Sequence, residues 1–320
     1  MRWCRLLQGD RPTAAIYSEQ HLIPLAAAAA AYRDATGTAV KVADDDDLLA
    51  VLPPDGRSAA AAAEIAAWVQ QQSAESLAAL AIPTGQARLL VPIARPNKLF
   101  LLAGNYAAHI AEGGGVAAER AETFPYVFMK PPTTTLTHPG DAVRIPKISP
   151  GAIDWELELA VVIGRGGKGI SQSDALQHVA GYTVINDISD RKFHPNAERK
   201  PRPKDGFFDW LHGKWHDSSC PCGPCIASAD ALADPQGLAM RLSVNGRVHQ
   251  DASTAQQIFP VAAVIAFISS FVTLEPGDII STGTPAGVGN TSGTYLKPGD
   301  RIEATIASIG TLTTPVEAED

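Results

Sequence analysis

Asp154-Trp155-Glu156-Leu157-Glu158-Leu159-Ala160-Val161-Val162-Ile163-Gly164 is the stretch from which the fold is read. It is rich in β-branched and leucine side chains and closes on glycine, so it predicts a strand. Alternation places Glu156, Glu158, Ala160 and Val162 on one face and Leu157, Leu159, Val161 and Ile163 on the other. Two carboxylates on one face of an apolar strand repel each other and are costly to desolvate. A bound cation removes both costs. Hard oxygen ligands without nearby His or Cys suit Mg²⁺, Ca²⁺ or Mn²⁺ better than zinc. The competing reading is a solvent-facing strand edge with two surface acids.

Outward from this strand, residues 96–320 alternate short β-rich runs with Pro/Gly turns. The runs are Lys98–Gly104, Val127–Lys130, Ala142–Ile145, Tyr182–Ile188, Ala239–Val244, Asp278–Thr282 and Arg301–Ile306. Helices are expected over Ser173–Ala180 and about Phe259–Phe271, giving a β-rich α+β fold. Residues 1–95 have a different texture and read as an N-terminal α/β region. Alanine tracts at 26–31 and 59–63 favour helix, Ser58–Leu80 reads as one helix, and the acidic run Asp44–Asp47 reads as a solvated loop.

Composition narrows the function classes. The 320 residues are 45% hydrophobic and 19% charged, as in ordinary globular proteins. A net charge of −8 argues against nucleic acid or an anionic membrane as partner. No apolar run is of spanning length and no secretion signal is read, so the cytoplasm is the expected compartment.

Several motifs can carry chemistry. His109 and Glu112 are three apart on an expected helical turn before Gly113-Gly114-Gly115, where a carboxylate can orient an imidazole and raise its basicity. A surface pair on a short helix is the alternative. Asp187, at the end of the 182–188 run, is either a third metal carboxylate or a turn residue. Arg191 beyond it can hold an anionic substrate. Lys214 can stabilise an enolate or oxyanion beside a carboxylate-bound metal, or lie solvated.

Gly164–Gly169 formally matches GxGxxG, but no second βαβ unit follows, and a hairpin-like connection is the better reading. His212 and His216 with Cys220, Cys222 and Cys225 resemble a zinc set, yet no second CxxC pair occurs. The cysteines are read as small, partly buried loop residues. No Gly-x-Ser-x-Gly elbow supports Ser–His–Asp chemistry.

Taken in order, these pieces resemble the fumarylacetoacetate hydrolase family. They are Gly104-Asn105-Tyr106 with His109 and Glu112, Met129-Lys130-Pro131, Asp154 to Glu158, and Gly181-Tyr182-Thr183 into Asn186-Asp187. The series continues through the Gly213-Lys214 loop running to Gly223-Pro224, Asn245-Gly246, Leu274 to Asp278, and Thr282-Gly283-Thr284-Pro285. The resemblance covers roughly residues 96–316. It implies a mixed β-sandwich roll, a homodimer, and one divalent metal (Mg²⁺ or Mn²⁺, with Ca²⁺ as a further option) on Glu156, Glu158 and Asp187. It makes His109 and Glu112 a water-activating lid dyad and Lys214 the active-site lysine. Thr284 receives the substrate's carboxylate end, and Lys130, Arg191, Gln250 and Tyr106 are assigned to the same pocket.

The implied substrate is a small 2-oxo acid. The first expected activity is hydrolysis of a carbon–carbon bond in a 1,3-dioxo acid, of acylpyruvate, fumarylacetoacetate or fumarylpyruvate type. The alternatives are oxaloacetate decarboxylation or tautomerisation, and isomerisation or hydration of unsaturated 2-oxo dicarboxylic acids in aromatic catabolism. A non-catalytic sugar- or anion-binding module is the reading from another class.

Overall fold

The computed structural model describes residues 1–42, 46–118 and 120–320. At its centre the strand Leu157–Ile163 pairs antiparallel with Val179–Asn186 on one side and Ile279–Ser281 on the other. Among the described residues, further strands continue this sheet to twelve. Beyond Val179–Asn186 lie Cys220–Ser228, Arg2–Gln8, Arg11–Tyr17, His21–Pro24 and Ile82–Pro83, and beyond Ile279–Ser281 lie Leu99–Ala103 and Tyr126–Met129. Arg88–Leu90 and Leu136–Thr137 pair at its sides. A second, five-stranded sheet runs in the order Arg247–Ser253, Ala239–Val244, Arg301–Ile306, Gly310–Ala318, Val143–Ile145. Parallel pairs such as Ile279–Ser281 with Leu99–Ala103 make the large sheet mixed.

The period of two sorts side chains into two cores. Leu157, Leu159, Val161 and Ile163 join a core with Leu242, Ile302 and Leu312 of the second sheet and Val264 and Ile268 of the helix Val261–Phe271. Ala160 and Val162 join the opposite core, with Ile65 and Val69 of the helix Ala59–Gln70 and Ala28 and Tyr32 of the helix Leu25–Thr36. The large sheet is thus covered by the second sheet and one helix on one face and by N-terminal helices on the other. That is the β-rich α+β sandwich expected. Among the described residues no helix is long and apolar enough to cross a membrane.

Four local expectations change. The central strand starts at Leu157 rather than Asp154, because the Glu156 N–H donates to Asn186 Oδ1 and the Leu157 N–H to Gln250 Oε1, replacing ladder partners with side chains. The Ser58–Leu80 helix breaks after Gln70, and Ser73 caps a separate turn, Ala74–Leu77, by accepting from Ser76 N. Only a 3₁₀ turn, Ala175–His178, forms where the helix Ser173–Ala180 was expected, because Val179 already enters a strand. The cysteine stretch is a buried strand, not a loop. Its register with Val179–Asn186 shifts near Gly223-Pro224, which accommodates the prolines. Of the acidic run, Asp44 and Asp45 lie outside the described residues, Asp46 pairs with buried Arg5, and Asp47 caps the turn Leu48–Ala50. Gly164–Gly169 connects two antiparallel strands, a pairing incompatible with a dinucleotide βαβ unit.

Candidate active site

Glu156, Glu158 and Asp187 converge where the central strand begins and its neighbour ends. One carboxylate oxygen from each lies within 4.8 Å of those of the other two, and all three side chains are buried. Leu157 is paired with Asn186, so the registered ladder brings the strand-end acid beside the two glutamates. The Asp187 N–H also donates to Glu156 O at 2.8 Å, which locks this corner.

Cations surround two of the acids. Lys214 Nζ donates to Glu156 Oε2 at 2.8 Å and to Asp187 Oδ2 at 2.6 Å. Lys130 Nζ donates to Asp187 Oδ1 at 2.5 Å and to Ile188 O at 2.8 Å. Arg191 Nη2 lies 2.6 Å from Glu156 Oε1, off the axis of a hydrogen bond. Burial raises the Glu156 pKa, but Lys214, Arg191 and His109 outweigh it and hold the carboxyl well below its usual range. Burial likewise opposes the Lys214 charge, and Asp187 and Glu156 more than restore it.

Glu158 has a different environment. Its Oε2 accepts from Ser281 Oγ at 2.6 Å and Gly283 N at 2.9 Å, while buried Oε1 has no hydrogen-bond partner. Burial, then Asp187 and Glu156, push its carboxyl well above the usual range. An orphaned carboxylate oxygen facing two further acids is what a divalent cation satisfies, and the all-oxygen donor set fits Mg²⁺, Mn²⁺ or Ca²⁺. These three residues form the candidate metal centre found among the described residues; the His212–Cys225 set forms none. Burial raises the thiol pKa values of Cys220, Cys222 and Cys225, opposite to what thiolate ligation needs.

The helix Ala107–Glu112 carries the imidazole–carboxylate pair. His109 Nδ1 lies 2.7 Å from Glu112 Oε1, and Glu112 Oε2 accepts from Gly287 N at 2.8 Å. The pair is therefore anchored to the loop that follows Ile279–Ser281. Thr284 on the same loop donates from its hydroxyl to Leu157 O at 3.0 Å and accepts from Gln250 Nε2 at 2.8 Å. Gln250 also bonds Pro285 O and Leu157 N, so its amide is fully engaged in holding the wall. Tyr106 lies in the core, its hydroxyl donating to Met240 Sδ at 3.3 Å rather than to a carboxylate. Asp154, Asn186 and Ser281 support the site directly and were assigned no role from the sequence; the only local signal was their place beside the acids in the chain or at a strand end.

A mixed β-sandwich carrying a buried, oxygen-rich centre of the divalent-cation type is the class this geometry defines. The family model for the fumarylacetoacetate (FAA) hydrolase C-terminal domain matches residues 98–317. Over 230 residues the chain is 39% identical to oxaloacetate tautomerase fahd2, mitochondrial, of Xenopus laevis, covering 71% of this chain and 68% of that protein. It is similar to the structure of 2-hydroxyhepta-2,4-diene-1,7-dioate isomerase from Mycobacterium marinum (TM-score 0.68, 28% identity, 100% of this chain and 99% of that one). It is also similar to maleylpyruvate hydrolase from Sphingobium sp. SYK-6 in complex with manganese(II) ion and pyruvate (TM-score 0.69, 26% identity, 100% of both chains). The chain belongs to the fumarylacetoacetate hydrolase family, an enzyme family whose compared members carry tautomerase, isomerase and hydrolase names.

Proposed function

We propose that the chain is a divalent-metal-dependent hydrolase that cleaves a carbon–carbon bond in a 1,3-dioxo acid of acylpyruvate type. The observation that carries this reading is the His109–Glu112 pair, held at 2.7 Å and anchored to Gly287. Glu156, Glu158 and Asp187 would hold the ion, Mg²⁺ or Mn²⁺ in the first instance. When bound, it supplies Lewis-acid neutralisation of charge developing on the 2-oxo acid.

Glu112 fixes the ring of His109 through Nδ1, leaving Nε2 to take a proton from water. The hydroxide adds to the acyl carbonyl carbon. The carbon–carbon bond then breaks, its electron pair passing to the 2-oxo acid fragment as an enolate, and the acyl fragment leaves as a carboxylic acid. Lys214 has three N–H donors, of which Glu156 and Asp187 use two; the third can meet the enolate oxygen. His109 returns its proton to carbon. In this scheme Arg191 and Thr284 face the carboxylate end of the substrate, Lys130 holds Asp187, and Gln250 and Tyr106 act as supports.

The name of the frog relative favours a second reading, oxaloacetate tautomerisation. Decarboxylation, and isomerisation or hydration of unsaturated 2-oxo dicarboxylic acids in aromatic catabolism, belong with it. Tautomerisation, decarboxylation and isomerisation pass through the same enolate and need at most a proton shuttle, whereas hydration also adds one water across the double bond. A Mg²⁺-dependent assay of acylpyruvates beside oxaloacetate separates them. Pyruvate plus a carboxylic acid supports the hydrolase. Enol–keto exchange or carbon dioxide from oxaloacetate, with acylpyruvates untouched, replaces it with the second reading.

A homodimer is part of the proposal. It is supported by the exposed aromatic side chains Phe124, Tyr126, Phe207 and Phe271 around a cavity of about 750 Å³ beside the terminal strand Tyr126–Met129. The cytoplasm is the compartment proposed from the sequence, whereas the frog relative is named as mitochondrial.

A further inference from the structure

Asp154 is fully buried and accepts four hydrogen bonds. Its Oδ1 receives Trp155 N at 2.8 Å and Gly289 N at 2.7 Å; its Oδ2 receives Asn290 N at 2.9 Å and Arg191 Nε at 2.8 Å. The adjacent Trp155 donates from its indole Nε1 to Gly287 O at 3.1 Å. Two consecutive residues thus grip the strip 287–290 at three points, while Arg191 links the same carboxylate to the edge of Glu156.

The strip is pressed closely onto this pair. A Cβ on Gly289 would lie 2.8 Å from Asp154 Oδ1 and 2.9 Å from the Trp155 ring. Gly287 has φ +103°, and a Cβ there would fall 2.0 Å from His249 O. The Trp155 ring packs on His249 with centroids 4.5 Å apart, which closes the other side.

The helix that carries His109 and Glu112 has little to position it by itself. Ala107–Glu112 is six residues long, has no side-chain N-cap, buries none of its residues and runs into three glycines. A helix of that length is marginal without tertiary support. Asn105 and Tyr106 anchor the start of the helix to residues 257–259 and Thr282, and the bond from Gly287 N to Glu112 Oε2 ties down its far end, where the pair sits.

We infer that Asp154 and Trp155 are positioning residues that hold the 287–290 strip where the Gly287 amide receives Glu112, and so set His109 against the carboxylate centre. This rests on the reading of His109 and Glu112 as the proton-transfer pair. Trp155→Phe keeps the packing ring and removes the bond to Gly287 O. Asp154→Asn keeps an acceptor for Gly289 and weakens the hold on Arg191 and Asn290.

Hydrogen exchange on the full chain, with Mn²⁺ titration alongside, tests the inference whatever the substrate proves to be. In Trp155→Phe, exchange over residues 106–113 rises roughly five- to tenfold, as loss of one buried hydrogen bond implies. Exchange over 157–163 and Mn²⁺ affinity stay at parental values. With an accepted substrate, kcat falls while KM is unchanged. Parental exchange over 106–113 in both variants overturns the inference. So does weakened Mn²⁺ binding or faster exchange over 157–163 in Trp155→Phe, which would place the effect in the fold. A parent inactive on every 2-oxo acid tested would instead count against the proposed function, with the exchange result still deciding the positioning role.

Discussion

Lys214 Nζ bridges Glu156 Oε2 and Asp187 Oδ2 at 2.8 and 2.6 Å, with all three side chains buried. Its ammonium also lies 5.3 Å from the centre of the Phe128 ring. Lys214 is the cation shared by both carboxylates, with Lys130 on Asp187 and Arg191 beside Glu156 as their further partners. Lys214→Met retains most of the stem and removes the charge. In the metal-free chain it should lower unfolding stability by about 3–5 kcal/mol, the range for breaking a buried pair. Urea unfolding at pH 7 measures this; parental stability would show that Lys214 does not neutralise the acids.

Glu158→Gln should separate metal binding from folding. The glutamine carbonyl can still accept from Ser281 and Gly283, while the charge opposed by burial, Asp187 and Glu156 is gone. The metal-free variant should be as stable as the parent or more so. Its Mn²⁺ affinity should fall by on the order of 100-fold or more, since even a supporting residue of a metal site costs 10–100-fold. Undiminished Mn²⁺ binding or activity would remove Glu158 from the metal set.

His109→Ala removes the imidazole and leaves the acidic triad in place. Hydrolysis of an acylpyruvate should drop by roughly 10²–10⁴, the usual contribution of a positioned acid–base group. Any metal-driven decarboxylation of oxaloacetate should persist. Equal loss of both activities would make the pair a general proton relay.

The buried thiols predict an alkaline limit to stability. Cys222 is raised from 9.0 to about 12 by burial, and burial raises Cys220 and Cys225 as well. Between these values the unfolded chain has lost thiol protons that the folded chain retains. Stability is therefore full below about pH 9 and falls as pH climbs towards 12. Urea unfolding at pH 8 and pH 11 should show the decrease, and Cys222→Ala should reduce it. A matching alkylation assay at pH 8 should find the four cysteines unreactive until the chain unfolds, because all are buried.

The site was legible where its chemistry follows a local repeat. Glu156 and Glu158 are two apart on a strand, and His109 and Glu112 three apart on a helical turn; backbone geometry alone makes each pair share a side. The alternation of Leu157–Ile163 likewise sorted its side chains onto two faces, and only the packing made both of them cores. The strands Arg2–Gln8 and Arg11–Tyr17 form a local hairpin, Gln8 opposite Arg11 across Gly9-Asp10, and that short turn signal was passed over; where the hairpin docks is chosen by distant chain. Trp3 pairs with Ile226, and nothing near Trp3 announces it. The cysteine strand was hidden for a related reason: prolines argue against a strand until a register shift accommodates them.

By itself the sequence determined the acidic strand, the imidazole–carboxylate turn, the β-rich class and, through the order of its motifs, the family. Only the tertiary structure decided that Lys130 and Lys214 meet at Asp187, that Glu158 retains an oxygen without a partner, and that Asp154 and Trp155 hold the strip on which Glu112 rests. Those contacts join residues up to 175 positions apart. Periodicity constrains a side chain only within a few residues of itself, whereas burial and hydrogen bonding across such separations are settled when the sheets pack.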